Sequence, residues 1–392
     1  MKEIVIVDGA RTAFGSFGGS LKGFTALELG AAAARGALEK SGVRPDQIDH
    51  TVMGNALQTS NDALYGARHV SLKAGVPVDR PAVTVNRICG SGLQAIVYAA
   101  QLIQLDEAEI CLAGGMENMS QAPHVIHGAR WGLALGQGKM DDLLWEALTD
   151  TYCDTSMAMT AENLAEKYSV TRDEADQYAL ASQRRAAHAR EQGWFAEEIT
   201  PIEIKTRKGP QMVDTDEHIR PDANLEQMAK LRPVFKKDGV VTAGNASGIC
   251  DGAAAVVVAS REAAEKHGLK ILGTLKSHAV AAVEPTIMGI GPAPSIRNAA
   301  RKAGVKVEDF ETIEVNEAFA PQVVSVQKEL KIDHAILNPN GGGISLGHPL
   351  GASGARLALT LLYHMRRNNQ KLGVASLCIG GGQGIAAVFE RA

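Results

Sequence analysis

The chain repeats itself. Moved along by 262 positions, Arg35-Gly-Ala-Leu-Glu-Lys-Ser-Gly-Val43 lies over Arg297-Asn-Ala-Ala-Arg-Lys-Ala-Gly-Val305, with Arg, Ala, Lys, Gly and Val coinciding. The correspondence runs on until Ala56 meets Ala318. Both copies have helical spacing that stops at a glycine, which suits a C-cap, then an acidic turn and a β-type run. Farther on, Ile110-Cys-Leu-Ala-Gly-Gly115 resembles Leu377-Cys-Ile-Gly-Gly-Gly382, cysteine over cysteine. Short apolar β-type runs fall at residues 4–7, 51–53, 83–85 and 110–113, with helical patterns at 25–40 and 92–104 between them. Such alternation is the mark of α/β architecture, here expected as two similar halves.

The stretch between the halves has another texture. Residues 119–249 are polar and helix-rich, with long helical patterns at 160–168 and 172–192. Residues 205–237 are irregular and carry eight Lys/Arg against five Asp/Glu. An insertion placed where the α/β pattern breaks is expected to be a lid or binding layer. The expected units are therefore residues 1–118 with 250–270, an inserted loop domain at 119–249, and residues 271–392. A length of 392 residues agrees with two or three units.

Charge and composition exclude several classes. A net charge of −4 does not suit nucleic acid or an anionic membrane as the main partner. No apolar run approaches the roughly 20 residues that cross a bilayer. Met1-Lys-Glu-Ile-Val-Ile-Val7 has the look of a first strand and lacks the features of a targeting peptide, so the expected location is cytoplasmic. The five cysteines, Cys89, Cys111, Cys153, Cys250 and Cys378, are odd in number and widely spaced. That pattern predicts neither a disulfide framework nor, lacking Cys-x-x-Cys or His-x-x-x-His, a metal site.

Reactive residues stand where elements end. In Asn86-Arg-Ile-Cys-Gly-Ser-Gly92 an apolar run stops at Cys89 and a helical pattern begins. A helix N-terminus stabilises a thiolate, and Gly90 and Gly92 permit a tight turn and approach by a substrate. The stretch suits a strand–turn–helix nucleophile elbow, or equally a buried cysteine beside an ordinary turn. Asn338-Pro-Asn-Gly-Gly-Gly-Ile-Ser-Leu-Gly-His-Pro-Leu-Gly-Ala-Ser-Gly354 is expected to end a strand and open a helix, with His348 held between glycine and proline. It fits neither the dinucleotide fingerprint nor the phosphate-binding loop that ends in lysine. Leu377-Cys-Ile-Gly-Gly-Gly-Gln-Gly384 lies between two β-type runs, so a glycine-tipped hairpin would leave Cys378 and free amides at its rim. Cys111 is expected in the core. Asn316, in Val315-Asn-Glu-Ala-Phe-Ala320, has the local signature of a helix N-cap. Two thiols without a metal suggest a nucleophile and an acid/base.

On Asn86–Ala95, Asn316-Glu-Ala-Phe319, Gly347-His-Pro349 and Cys378–Gly384, the chain resembles the thiolase family over essentially its whole length. The resemblance implies a five-layered α/β/α/β/α fold, a loop domain over the site that binds coenzyme A, and a homotetramer built as a dimer of dimers. It implies coenzyme A thioesters as substrates, with no tightly bound cofactor. The implied activity is acetyl-CoA C-acetyl transfer, with broader 3-ketoacyl-CoA thiolysis or a non-catalytic CoA/lipid binder as alternatives. By resemblance, His348 takes the proton of Cys89, whose thiolate attacks the thioester. Cys378 then removes an α-proton from a second acetyl-CoA. His348 and a water held by Asn316 serve the enolate oxygen, and the amides of Cys89 and Gly380 form a second oxyanion hole. Arg220, Ala243, Ser247, Met157, Met288, Ala318 and Phe319 are the implied CoA and acyl contacts. Three positions depart from the family or bear on chain length. Ser156 stands where short-chain members carry histidine, and Cys250 where asparagine is usual. Met288 matches a residue that narrows the acyl pocket. A ketosynthase would pair the elbow with two histidines or His/Asn and lack the second cysteine. A Cys–His hydrolase would release free acid.

Overall fold

The computed structural model describes residues 2–392. Its first half runs β1 (Ile4–Arg11), α1 (Ala26–Ser41), β2 (His50–Gly54), α2 (Gly66–Lys73), β3 (Ala82–Val85), α3 (Ser91–Gln104) and β4 (Ile110–Asn118). The insertion contributes α4 (Met157–Lys167) and α5 (Arg172–Glu191). After it, β5 (Cys250–Ser260) returns to the first half between β1 and β4, and the second half follows as β6 (Gly273–Ala282), α6 (Pro292–Ala303), β7 (Thr312–Val315), α7 (Ala320–Leu330), α8 (Leu350–Arg367), β8 (Leu372–Ile379) and β9 (Gln383–Arg391).

Local chemistry sets the helix ends of the repeat. Thr25 and Glu28 form a capping box at the start of α1, and Gly42 closes it at φ 70°. In the second copy Pro292 opens α6 and Gly304 closes it at φ 74°.

The strands join in the order β7-β8-β9-β6-β1-β5-β4-β2-β3. The halves meet at β1 and β6 through two pairs only, Val5 with Thr274 and Ile6 with Gly273. Outward from that joint the order is the same on both sides. His50 pairs with Cys111 in the first half, and Thr312 with Gly373 in the second, so both pairs obey the 262-residue shift. This corrects one expectation. The counterpart of Cys111 is Gly373, and the alignment of Cys111 on Cys378 is five residues out of register. Two glycine-flanked cysteine strings look alike locally, but pairing and burial fix the register.

Burial on both faces produces the layers. Along β5, Ala253, Ala255, Val257 and Ala259 pack toward α1, while Ala254, Val256 and Val258 pack toward α3 and α8. Along β8, Ala375, Leu377 and Ile379 face α3 and α8, whereas Val374 faces α6 and α7. The result is five layers, α/β/α/β/α, with α3 and α8 in the middle. Every residue of α8 from Leu350 to Met365 is buried. Glycine lets these two helices touch backbone to backbone. A Cβ on Gly92 would lie 2.7 Å from the Gly351 carbonyl, and one on Gly354 would lie 2.3 Å from the Leu93 nitrogen.

The inserted segment is less irregular than expected. Ile202–Thr206 and Gly209–Val213 form a hairpin, and Leu225–Ala229 a short helix. Fully buried Arg11 of β1 ties the insertion to the sheet, bonding Glu198 at 3.1 Å and Asp216 at 2.7 Å. No strand precedes the Asn338 loop. A single 3₁₀ turn, His334–Ile336, and one bridge from Leu337 to Ile313 take its place.

Candidate active site

The turn after β3 is tied by side chains. Asn86 Oδ1 accepts the Ile88 amide at 2.9 Å, while Ser91 Oγ accepts the Arg87 amide at 2.8 Å and donates to the Ile88 carbonyl at 2.6 Å. Ile88 is thereby held at φ 48°, a left-handed conformation that a β-branched residue seldom adopts. Cys89 follows, and α3 begins two residues later. Gly90 is at φ −83°, so it is not needed for the turn itself. A Cβ there would lie 2.6 Å from Ile379 Cδ1. The glycine admits the β8–β9 hairpin against the elbow, a role different from the substrate access expected for it.

That hairpin carries the second thiol. Cys378 pairs with Gly384, and Gly381 and Gly382 turn the tip at φ 80° and 79°. Cys378 is buried beneath Met157, Met288, Ala318 and Phe319, not displayed at the rim. The Gly380 backbone amide favours the ionised Cys89 sulfur. Burial nevertheless pushes the Cys89 thiol up to about 12, and the start of α3 does not reverse this. Burial also raises the Cys378 thiol, and the neighbouring Cys89 raises it further. Both are thiols at rest. The elbow does not lower the resting pKa as the sequence suggested.

His348 comes from the glycine loop ahead of α8. Its amide donates to the Gly248 carbonyl at 3.0 Å, and Gly347 before it adopts φ 100°. Its Nε2 lies 3.2 Å from Asn316 Nδ2, and its Nδ1 lies 2.5 Å from Ser353 Oγ. Burial, then the Arg356 guanidinium, hold the imidazole down at about 3, so it is neutral at every physiological pH. Asn316 is fully buried and caps no helix. The α7 N-cap position is Phe319, and the Asn316 amide turns instead to His348. A helix cap and a histidine partner need the same residue type, and local sequence does not distinguish them.

Over these groups opens a mainly apolar cavity of about 340 Å³, whose lining includes His348, Leu350, Met119, Met157, Phe319 and Ser247. Cys89 packs against Met119 and Leu350, and Cys378 against Met157 and Phe319, so each thiol touches side chains of the cavity lining. A second pocket of about 470 Å³ shares Ser247 with the first and carries Arg220 and Ala243. The loop between them is clipped to the strand–helix junction: the Ser247 amide donates to the Ala318 carbonyl at 2.9 Å, and that of Ala320 to Asn245 at 2.8 Å.

The departures have local explanations. Ser156 caps α4, its hydroxyl accepting the Met159 amide at 3.3 Å. Cys250 is buried against the turn before His348, where a Cβ on Gly347 would lie 2.6 Å from its sulfur. Sequence reasoning missed Glu117, whose carboxylate accepts from Asn55 Nδ2 and from the amides of Ala56, Leu57 and Gly351. It binds the first half to the first turn of α8. An acidic residue at the end of an apolar strand was the available signal. Among the described residues no cluster of His, Cys, Asp or Glu could hold a metal, and no helix is long and apolar enough to cross a membrane.

Residues 4–262 match the family described as Thiolase, N-terminal domain, and residues 269–391 match Thiolase, C-terminal domain. The chain belongs to the thiolase family. The human mitochondrial 3-ketoacyl-CoA thiolase is 50% identical, covering 100% of this chain and 98% of that protein. An acetyl-CoA acetyltransferase of Pseudomonas aeruginosa is also 50% identical, over 100% of both chains. The crystal structure of the human enzyme superposes with a TM-score of 0.99, covering 100% of this chain and 99% of that one. This thiolase is thus an acyltransferase of α/β fold.

Proposed function

We propose that this thiolase is an acetyl-CoA C-acetyltransferase, joining two acetyl-CoA molecules into acetoacetyl-CoA and CoA, and reversing the reaction by thiolysis. The reading rests on two neighbouring buried thiols, each packed against side chains of one cavity, with a neutral imidazole in the lining of that cavity. His348 accepts the Cys89 proton as the sulfur attacks the first thioester, and hands it to the departing CoA sulfur. The amides of Cys89 and Gly380 receive the developing oxyanion; losing one such donor costs about 10² to 10³ in rate. With Cys89 acetylated, Cys378 releases its own proton to solvent, and its thiolate takes an α-proton from the second acetyl-CoA. The enolate oxygen faces His348 and Asn316, and its carbon attacks the acetyl-cysteine.

Met157, Met288, Ala318 and Phe319 crowd Cys378 and favour short acyl chains. The printed name of the human relative supports a broader 3-ketoacyl-CoA range as the second reading, and thiolysis rates across chain lengths decide between them. Arg220, Ala243 and Ser247 are proposed contacts of CoA, with residues 119–249 as its binding layer. A homotetramer is proposed from apolar surface left open at separate places. Trp131 and Leu135 lie at one, and Leu64 and Tyr65 at another. Sedimentation measures it. Five unpaired cysteines support a reducing, cytoplasmic location.

The test is intact-mass measurement after mixing with acetyl-CoA. One acetyl adduct is expected on the native chain and none on Cys89→Ser. Cys378→Ala is expected to keep the adduct and lose condensation by more than about 10³-fold. Equal loss of both steps in Cys378→Ala would show that the two thiols do not divide the work.

A further inference from the structure

The hydrogen bonds around His348 fit a ring that carries its proton on Nδ1. Ser353 Oγ has two contacts, the Pro349 carbonyl at 3.0 Å and His348 Nδ1 at 2.5 Å. A carbonyl oxygen only accepts, so where Ser353 Oγ meets Pro349, which also takes the Ala352 and Ser353 amides, the hydroxyl is the donor. The hydroxyl must then accept from the ring, and the ring proton sits on Nδ1. The other nitrogen is left with its lone pair. Asn316 meets it with an N–H, since Nδ2 is the atom at 3.2 Å. Two independent contacts thus agree on the same tautomer. Ser353 is 1% exposed, stands in the first turns of α8, and has no solvent to replace it as a partner.

We infer that Ser353 is a positioning residue for the reaction: it holds the proton of His348 on Nδ1, so that Nε2 faces Asn316 and the cavity as an unprotonated base. The role is the one that a buried carboxylate fills in a Ser–His–Asp arrangement, with one difference. A hydroxyl orients the ring without adding a negative charge. The imidazolium is therefore not stabilised in advance, and proton transfer from Cys89 occurs only as the thioester is attacked. Around the ring, the charged group that acts on it is Arg356, one turn beyond Ser353 on α8, and its sign also opposes a resting imidazolium. Without the hydroxyl, the Nδ1–H would lack an acceptor, and the ring would exchange tautomers or rotate.

This inference rests on the proposed acetyl transfer to Cys89, and the experiment separates the two. Acetylation of Cys89 is followed by quenched-flow and intact mass in the native chain, Ser353→Ala and Ser353→Thr. Ser353→Ala is expected to acetylate about 10- to 100-fold more slowly, with the concentration of acetyl-CoA for half-maximal rate changed less than about twofold. Ser353→Thr, which keeps the hydroxyl, is expected to recover most of the rate. A Ser353→Ala chain that acetylates at the native rate overturns the inference and leaves the proposed function standing. No acetylation of the native chain overturns the proposed function itself. A second measurement on the native protein does not depend on folding of a variant. Long-range nitrogen–proton NMR of the histidine-labelled chain, with His348 assigned by its loss in His348→Asn, reads the tautomer directly. A protonated Nδ1 and a bare Nε2 are expected, and the reverse pattern overturns the inference.

Discussion

Glu117 shows how much one buried residue can hold. Each of its two oxygens accepts two N–H groups, from Asn55 and Leu57 on one side and from Ala56 and Gly351 on the other. Burial lifts its pKa to about 7 while the amides of Leu57, Gly351 and Ala56 pull it down. Glu117→Gln keeps the shape but must aim its NH₂ at two donors, whichever way the amide turns. We expect a loss of about 2 to 3 kcal/mol in denaturant unfolding, the usual cost of leaving buried polar groups unpaired. The thiol and the imidazole carry a second prediction at this scale. His348 protonates only near 3, and Cys89 ionises only near 12. The base is lost as pH falls through the first value, and the resting pair changes charge as pH rises through the second. Acetylation of Cys89 is therefore expected to change less than about twofold between roughly pH 6 and pH 9. A limb with its midpoint near neutrality would instead reveal a thiolate–imidazolium pair at rest.

At the scale of elements, the site depends on how α3 and α8 touch. Cys89 precedes one helix and His348 the other, and their backbones meet at Gly92 and Gly354. Gly92→Ala would drive a methyl group to 2.7 Å from the Gly351 carbonyl and 2.8 Å from the Ala355 nitrogen. Neither is a flexible group, so the helices must separate. We expect a cost of about 1 to 3 kcal/mol in stability and a fall in acetylation rate beyond what the stability loss explains. Native stability with native rate would show that the contact is not what spaces the two residues. The elements themselves were legible in sequence to within a few residues, because periodicity and capping are local: Thr25, Glu28, Gly42 and Gly304 are signals read over one turn. The side-chain partner of Asn316 was not. Its local signature is a cap, and only the return of the chain 32 residues later brings His348 to it.

For the whole molecule, the segment that carries Glu198 and Asp216 must stay tied to β1 and α8. Arg11 lies between Glu198 and Asp216 with all three side chains buried, and Thr360 of α8 donates to Glu198 at 2.8 Å. Arg11→Met would leave two buried carboxylates without their cation. A loss of about 3 to 5 kcal/mol is expected, read by thermal or denaturant unfolding. Replacing all three by apolar residues should restore part of it, as buried ion pairs contribute more to specificity than to net stability.

The repeat, the glycine-bounded helices and the apolar runs determined a duplicated α/β fold, because each is an agreement between neighbours in the chain. The motif strings likewise marked Cys89, His348, Asn316 and Cys378 as residues to watch. Register and environment were decided elsewhere. The pairing of β7 with β8 assigned Cys111 a glycine as its counterpart, against the more obvious cysteine. Burial from both halves raised the two thiols and kept the imidazole neutral, overriding the pull of a helix end that sequence alone predicts. A pKa and a register are sums over atoms distant along the chain, and those sums exist only once the halves have closed on each other.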